Sequence, residues 1–286
     1  MKIRTVVVAF VLAAVVGGWM APPQAQTKPA AVKTPRLYIF DNGDLKGLDP
    51  KRFGFTREQL AEVDFVNRSY LIVHPRGTVM FDTGGIPDSA FPTDGSMAKS
   101  GIMTADKKLA PQLAAVGYKP SDITYLVMSH YHADHTGNAN LFAGATWIVQ
   151  KAERDVMFSG KQVPILAPDT YSALRNSKTK TLNHEDFDIF GDGTLVIKST
   201  PGHTPGHQVL VVKLAKFGPV ILSGDMYHYP EEIATGKTPD FEDDPPTSAK
   251  SRAALQAFAK QTGATLWIEH DKPTHAKLPK APAYVD

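Results

Sequence analysis

Nine consecutive residues, Ser129-His130-Tyr131-His132-Ala133-Asp134-His135-Thr136-Gly137, put three imidazoles and one carboxylate into six positions. Ahead of them Ile123–Met128 is an apolar, β-branched run that reads as a buried strand, with the Pro120-Ser121 turn behind it. Thr136-Gly137-Asn138 reads as a turn and helix start, so the cluster belongs on the loop at a strand end. Imidazole nitrogen and carboxylate oxygen are ligands that suit zinc and its neighbours. In extended chain His130 and His132 point the same way and can grip one ion. Asp134 and His135 follow after the chain begins to turn and can face a second. The plainer alternative, a polar loop that is merely rich in histidine, leaves the ordered spacing unexplained.

A two-ion site needs more ligands than one loop supplies. Three later strand-like runs each run into ligand-type residues: Thr194–Thr200 into Gly202-His203-Thr204-Pro205-Gly206-His207, Val220–Ser223 into Gly224-Asp225, and Ala264–Ile268 into Glu269-His270-Asp271.

The set His130-x-His132-x-Asp134-His135, then His203, Asp225 and His270, resembles the metallo-β-lactamase fold superfamily over about Leu37 to His270. The resemblance implies an α/β chain built as an αββα sandwich of four layers, with a dinuclear metal site along one edge. It implies one ion on His130, His132 and His203, another on Asp134, His135 and His270, and Asp225 bridging them. Zinc is the default for both divalent ions. It also makes Asp82, at the end of a strand, a carboxylate that orients a ligand; a carboxylate serving only its turn is the alternative.

With 286 residues and 42% hydrophobic content, the chain can build a sizeable packed core. A net charge of +2 gives no case for nucleic acid. Residues 1–26 stand apart: Lys2 and Arg4 form a basic start, Thr5–Gly18 is apolar, and Pro22-Pro23-Gln24-Ala25 offers a cleavage point. That pattern predicts a secretory signal peptide, with the mature protein periplasmic or secreted and not held at a membrane. An uncleaved anchor is the alternative, but the apolar run is shorter than the roughly 20 residues a spanning helix needs. With no cysteine, disulfides, thiolate zinc sites and a lipobox are excluded. Residues 27–286 are expected to form one hydrolase domain, with 27–34 a polar linker and a homodimer left open.

Strands are expected at Leu37–Phe40, Val66–Val73, Gly77–Phe81, Ala145–Val149 and Gln208–Lys213, with Asp41–Asp44 a turn. Helices are expected at Asp106–Val116, Asn138–Phe142, Lys151–Phe158 and finally Ser248–Gln261. Gly47–Glu62 either leans over the site or is a solvated loop, and Ser159–Thr181 either shapes the pocket or is structural. His74, His184 and His275 read as surface residues. Of His203 and His207, the Gly-His-Thr context favours His203 as the ligand.

Two ions can make hydroxide available near neutral pH and polarise a carbonyl or phosphoryl oxygen. The expected reaction is attack by a metal-bridging hydroxide on an ester, lactone, thioester or amide, with Asp134 moving the proton. Asp225 argues against the true β-lactamases of the superfamily. The whole pattern looks most like the N-acyl homoserine lactonase branch, and the expected partner is a small lactone or ester. β-Lactam hydrolysis, phosphotriester hydrolysis and a non-catalytic binding module are the alternatives. In that branch a tyrosine lies three residues after the bridging Asp. Here His228 holds the position, flanked by Tyr227 and Tyr229, so any of the three could supply the donor.

Overall fold

The computed structural model describes residues 31–163 and 165–286; the expected signal segment lies outside them. Period-2 alternation sorts the strands into layers. In the strand Gln208–Leu214, Leu210, Val212 and Leu214 enter one apolar cluster while Val209 and Val211 enter another. Its sheet is therefore covered on both faces. Phe65–His74 behaves likewise, buried at every position, with Tyr70 and Ile72 on one face and Leu71 and Val73 on the other.

Among the described residues two sheets result, of nine and five strands. Their facing surfaces share one core, including Ile39, Ile72, Phe81, Ile197, Leu210 and Trp267. The outer face of the larger sheet packs on the helix Leu109–Ala115 through Leu109 and Leu113. That of the smaller sheet packs on the helix Pro245–Thr262 through Leu255. The layers run helix, sheet, sheet, helix, as expected.

The long helix begins on Asp244, whose carboxylate accepts from Thr247 N, with prolines filling its first turn. It ends at Gly263 in the left-handed region. The shorter helix starts three residues later than expected, where the Asp88 carboxylate accepts from Leu109 N and Ala110 N.

Several expectations need correcting. Asp41–Asp44 is no turn: the strand Arg36–Leu45 runs through it with a bulge and continues to pair with Phe65 and Val66. Ser159–Thr181, which its polar, proline-bearing sequence marks as irregular, carries a helix at Pro168–Tyr171 and enters the strand Thr179–Leu182. Pro245–Thr262 is not the last helix, because Lys272–Lys277 follows and Tyr284–Val285 returns to pair with Leu37 and Tyr38. The helix Lys272–Lys277 buries His275, whose Nε2 lies 3.1 Å from the Ile268 carbonyl and 3.3 Å from the Tyr70 hydroxyl. Burial pushes its pKa down to about 3. His74 is buried too, stacked on Phe190 with its Nε2 3.0 Å from Asp192. His184 is exposed as expected.

The candidate dinuclear metal centre

Two pairs of parallel strands aim at one edge of the sandwich. Gly77–Phe81 lies beside Tyr125–Val127, and Gly218–Leu222 beside Thr265–Trp267. Past their ends come Asp82, the loop from Ser129, Asp225 and His270. Gly224 is required where these loops meet: it has a positive φ of 47°, and a Cβ there would come within 2.4 Å of Ser129 Cβ. Gly137 has the same role behind the short helix Ala133–Thr136, where a Cβ would come within 2.6 Å of Gly85 C.

All seven predicted ligands converge, in two overlapping groups. His130, His132, His203 and Asp225 form one; Asp134, His135, Asp225 and His270 form the other; within each group the ligand atoms lie within 4.8 Å of one another. Asp225 divides its oxygens between them. Oδ2 is 3.6 Å from both His130 Nε2 and His203 Nε2, and Oδ1 is 3.1 Å from both His135 Nε2 and His270 Nε2. Asp134 Oδ2 lies 3.5 Å from His270 Nε2 and 3.7 Å from His135 Nε2.

The far sides of three of the rings are occupied. His270 Nδ1 donates to the Val66 carbonyl at 2.9 Å, which leaves Nε2 its lone pair. His135 Nδ1 faces Asp82 Oδ2 at 3.0 Å, and His130 Nδ1 faces Ser129 Oγ at 2.9 Å. His130 Nε2, His135 Nε2 and Asp225 Oδ1 are buried without a hydrogen-bond partner. Buried polar atoms are rarely left so. Nitrogen and oxygen donors with free lone pairs, turned inward in two sets that share a carboxylate, fit a pair of divalent ions.

Burial holds His130, His132 and His203 well below the usual histidine pKa. At His135 burial acts in the same direction but is outweighed by Glu269, Asp225, Asp134 and Asp82, which hold it well above. Asp225 is opposed by burial and still held well below the carboxylate range by His135, His270, His228 and His130.

Two predicted residues are not at the centre. The Tyr227 hydroxyl donates to the Arg252 carbonyl at 3.3 Å and accepts from Gln256 Nε2 at 3.0 Å. The Tyr229 hydroxyl donates to the Val63 carbonyl at 2.9 Å. This corrects the expectation that either could supply the donor: both are packed phenols, because neighbours in sequence on a strand-like stretch point apart. His228, between them, turns inward, with Nε2 3.2 Å from Asp225 Oδ2.

Other residues at the site carry no local sequence signal. Glu153 accepts from Tyr131 N, Thr204 Oγ1 and Gly206 N, tying the two histidine loops together. Glu242 Oε1 lies 3.5 Å from His203 Nδ1. His207 accepts from the Asp225 backbone N–H at 3.2 Å; its only sequence signal is the spacing from His203.

A cleft of about 210 Å³ opens onto the centre. Its floor is His132, Asp134, Asp225, His228 and His270; its walls are mostly apolar and include Leu48, Phe53, Phe65, Met103, Ile165 and Phe241. Leu48, Asp49, Arg52 and Phe53 show that the Gly47–Glu62 stretch leans over the site. Ile165 brings in the later insertion, with its carbonyl accepting from Ala133 N.

The sequence matches the family profile of the metallo-beta-lactamase superfamily over residues 63–270. The chain belongs to the metallo-β-lactamase superfamily. It is a metal-dependent hydrolase and is similar to the N-acyl homoserine lactonase branch. The N-acyl homoserine lactonase AttM of Azorhizobium caulinodans is 31% identical over 270 residues, covering 88% of this chain and 98% of its own. A crystal structure of a quorum-quenching N-acyl homoserine lactone lactonase superposes with a TM-score of 0.73 at 24% identity, over 89% of this chain and 100% of that one. AidC, a dizinc quorum-quenching lactonase in complex with a product, superposes with a TM-score of 0.62 at 18% identity, over 88% and 94%. The two superpositions establish the shared metallo-β-lactamase fold.

Proposed function

We propose that the protein opens the lactone ring of N-acyl homoserine lactones or related esters. The observation that carries this reading is Asp225: one carboxylate shared by two ligand sets, at the floor of a cleft with apolar walls. The likeness to AttM supports the substrate class.

Two zinc ions bound there would make hydroxide available near neutral pH and polarise the carbonyl under attack. The chain's own residues do the rest. Leu48, Phe53, Phe65 and Phe241 offer an acyl chain an apolar, largely pre-formed wall. Asp134, whose carboxylate also faces the cleft, passes a proton to the departing ring oxygen. Val66, Asp82 and Ser129 hold the far nitrogens of His270, His135 and His130, so the ligands need no rearrangement.

The zinc-loaded protein, offered a long-chain N-acyl homoserine lactone, is expected to release acid in a chelator-sensitive reaction read with a pH-sensitive dye. No acid from a fully metallated sample refutes the substrate class. Penicillins and phosphotriesters are the comparison substrates.

We further propose that the protein is exported, on the basic start and apolar run of residues 1–26. Mass spectrometry of the mature amino terminus tests this; a full-length chain confined to the cytoplasm refutes it.

A further inference from the structure

Five consecutive residues, Asp240-Phe241-Glu242-Asp243-Asp244, each hold a different part of the fold. Asp244 caps the long helix. Asp243 accepts from the Tyr131 hydroxyl at 3.1 Å, and its N–H donates to the His203 carbonyl at 3.3 Å. Glu242 Oε1 lies 3.2 Å from Arg252 Nη2, which also lies 3.0 Å from Glu232 Oε2. These three residues seat the run on the histidine loops and the long helix.

The other two build the cleft wall. Phe241 faces the cleft, and its ring packs edge-on against Phe53 with centroids 5.4 Å apart. The Arg52 guanidinium lies over the Phe241 ring, 4.8 Å from its centroid. Asp240 is exposed and does not line the cleft. Its Oδ1 accepts from Nε and Nη2 of Arg52 at 3.2 and 3.0 Å, and its backbone N–H donates to the Arg52 carbonyl at 2.8 Å. Arg52 and Phe53 are neighbours on one short helical turn, Pro50–Phe53, of the stretch that leans over the site. The ion pair therefore fastens Phe53, on one stretch, to Phe241, on the other.

An exposed ion pair stabilises a fold little. This one has a second effect, because it fixes a guanidinium that covers an apolar ring. Without Asp240 the Arg52 side chain regains its rotamers, and a bound acyl chain must order the wall as it binds.

We propose that Arg52 and Asp240 form a positioning pair that sets how strongly the cleft prefers long acyl chains over short ones. This rests on the acyl-substrate reading above. A short acyl group stays near the metal floor, whereas a long one runs along Phe53 and Phe241. Contacts to that chain are the same before and during the reaction, so the pair acts on KM and not on kcat.

The test uses the zinc-loaded full chain and its variants Asp240→Ala, Asp240→Asn and Arg52→Met, with the double variant of Arg52→Met and Asp240→Ala. Zinc is counted in every sample. p-Nitrophenyl acetate and p-nitrophenyl octanoate are the short and long substrates. Asp240→Ala is expected to raise KM for the octanoate about 3–5-fold, with its kcat, the acetate kinetics and the zinc ratio at wild-type values. Asp240→Asn keeps an acceptor for Arg52 and recovers part of the loss. Arg52→Met raises the octanoate KM at least as much, and adding Asp240→Ala to it changes nothing further. An unchanged octanoate-to-acetate ratio in Asp240→Ala overturns the proposal. So does an equal loss on both esters, and so do additive effects in the double variant. Calorimetric titration with ring-opened N-butanoyl and N-decanoyl homoserine reads the same wall without turnover. Wild type should favour the decanoyl chain, and Asp240→Ala should lose about 3–5-fold of that preference. A wild-type cleft that binds both alike overturns the proposal. A protein silent on lactones refutes the lactone reading, while the ester and binding series still decide the pair.

Discussion

Asp82 Oδ2 lies 3.0 Å from Nδ1 of His135, with both side chains fully buried. The other oxygen of Asp82 accepts from Ser129 N at 2.6 Å, so one carboxylate fixes both a ligand ring and the start of the ligand loop. Asp82 itself has a φ of 54°, a left-handed conformation that asparagine also tolerates. Asp82→Asn should therefore keep the backbone and lose the charge that orients His135. Zinc affinity is expected to fall about 10–100-fold. Competition against a chromophoric chelator measures it, and unchanged affinity would show that His135 needs no such support.

Asp225→Ala removes the oxygens facing both ligand groups at once. The variant is expected to bind fewer zinc ions than wild type and to hydrolyse lactone at background rate. Loading with a chelator-buffered zinc series then separates the sites. Full turnover by a one-zinc form would refute the dinuclear reading.

Tyr227→Phe and Tyr229→Phe are expected to leave turnover close to wild type. Each removes a hydrogen bond to a backbone carbonyl, at Arg252 and Val63, and should cost about 0.5–1.5 kcal/mol of stability. Urea midpoints and initial rates on the same samples check both parts. A large kcat loss in either variant would return a phenol to the mechanism.

The ligand set was legible because its signals are local. His130 to His135 lie within one loop, and His203, Asp225 and His270 each follow a run that pairs as a strand. The layers were legible from alternation such as that of Gln208–Leu214. What escaped depends on chain segments meeting across the fold. His275 sits in a Lys/Pro-rich tail that composition assigns to the surface, and it is buried because its helix packs against Tyr70, far away in sequence on Phe65–His74, and against the Ile268 carbonyl across a chain turn. Arg252 and Glu242 lie on an unremarkable charged stretch, and their part at the site exists only because the long helix packs behind Glu232. Which of Tyr227, His228 and Tyr229 faces inward was a question of strand parity that the motif spacing could not answer.

Glu153 gives the pH prediction. It is buried, and burial lifts its carboxyl from 4.5 to about 8 although Thr204, Gly206 and Tyr131 donate to it and pull the other way. In the unfolded chain it titrates near the ordinary value. Between roughly pH 4.5 and 8 the folded protein therefore holds a proton that the unfolded chain releases, and this group's contribution to stability falls as pH rises. Above about pH 8 both states are ionised and the contribution levels off. Glu153→Gln cannot titrate, so the difference between wild-type and variant thermal midpoints cancels the pH response of every other group, zinc ligands included. That difference should shift in favour of glutamine from pH 5 to pH 8 and then stay flat. A gap independent of pH would mean that the three donors outweigh burial and keep Glu153 ionised throughout, as a fixed anion between the two histidine loops.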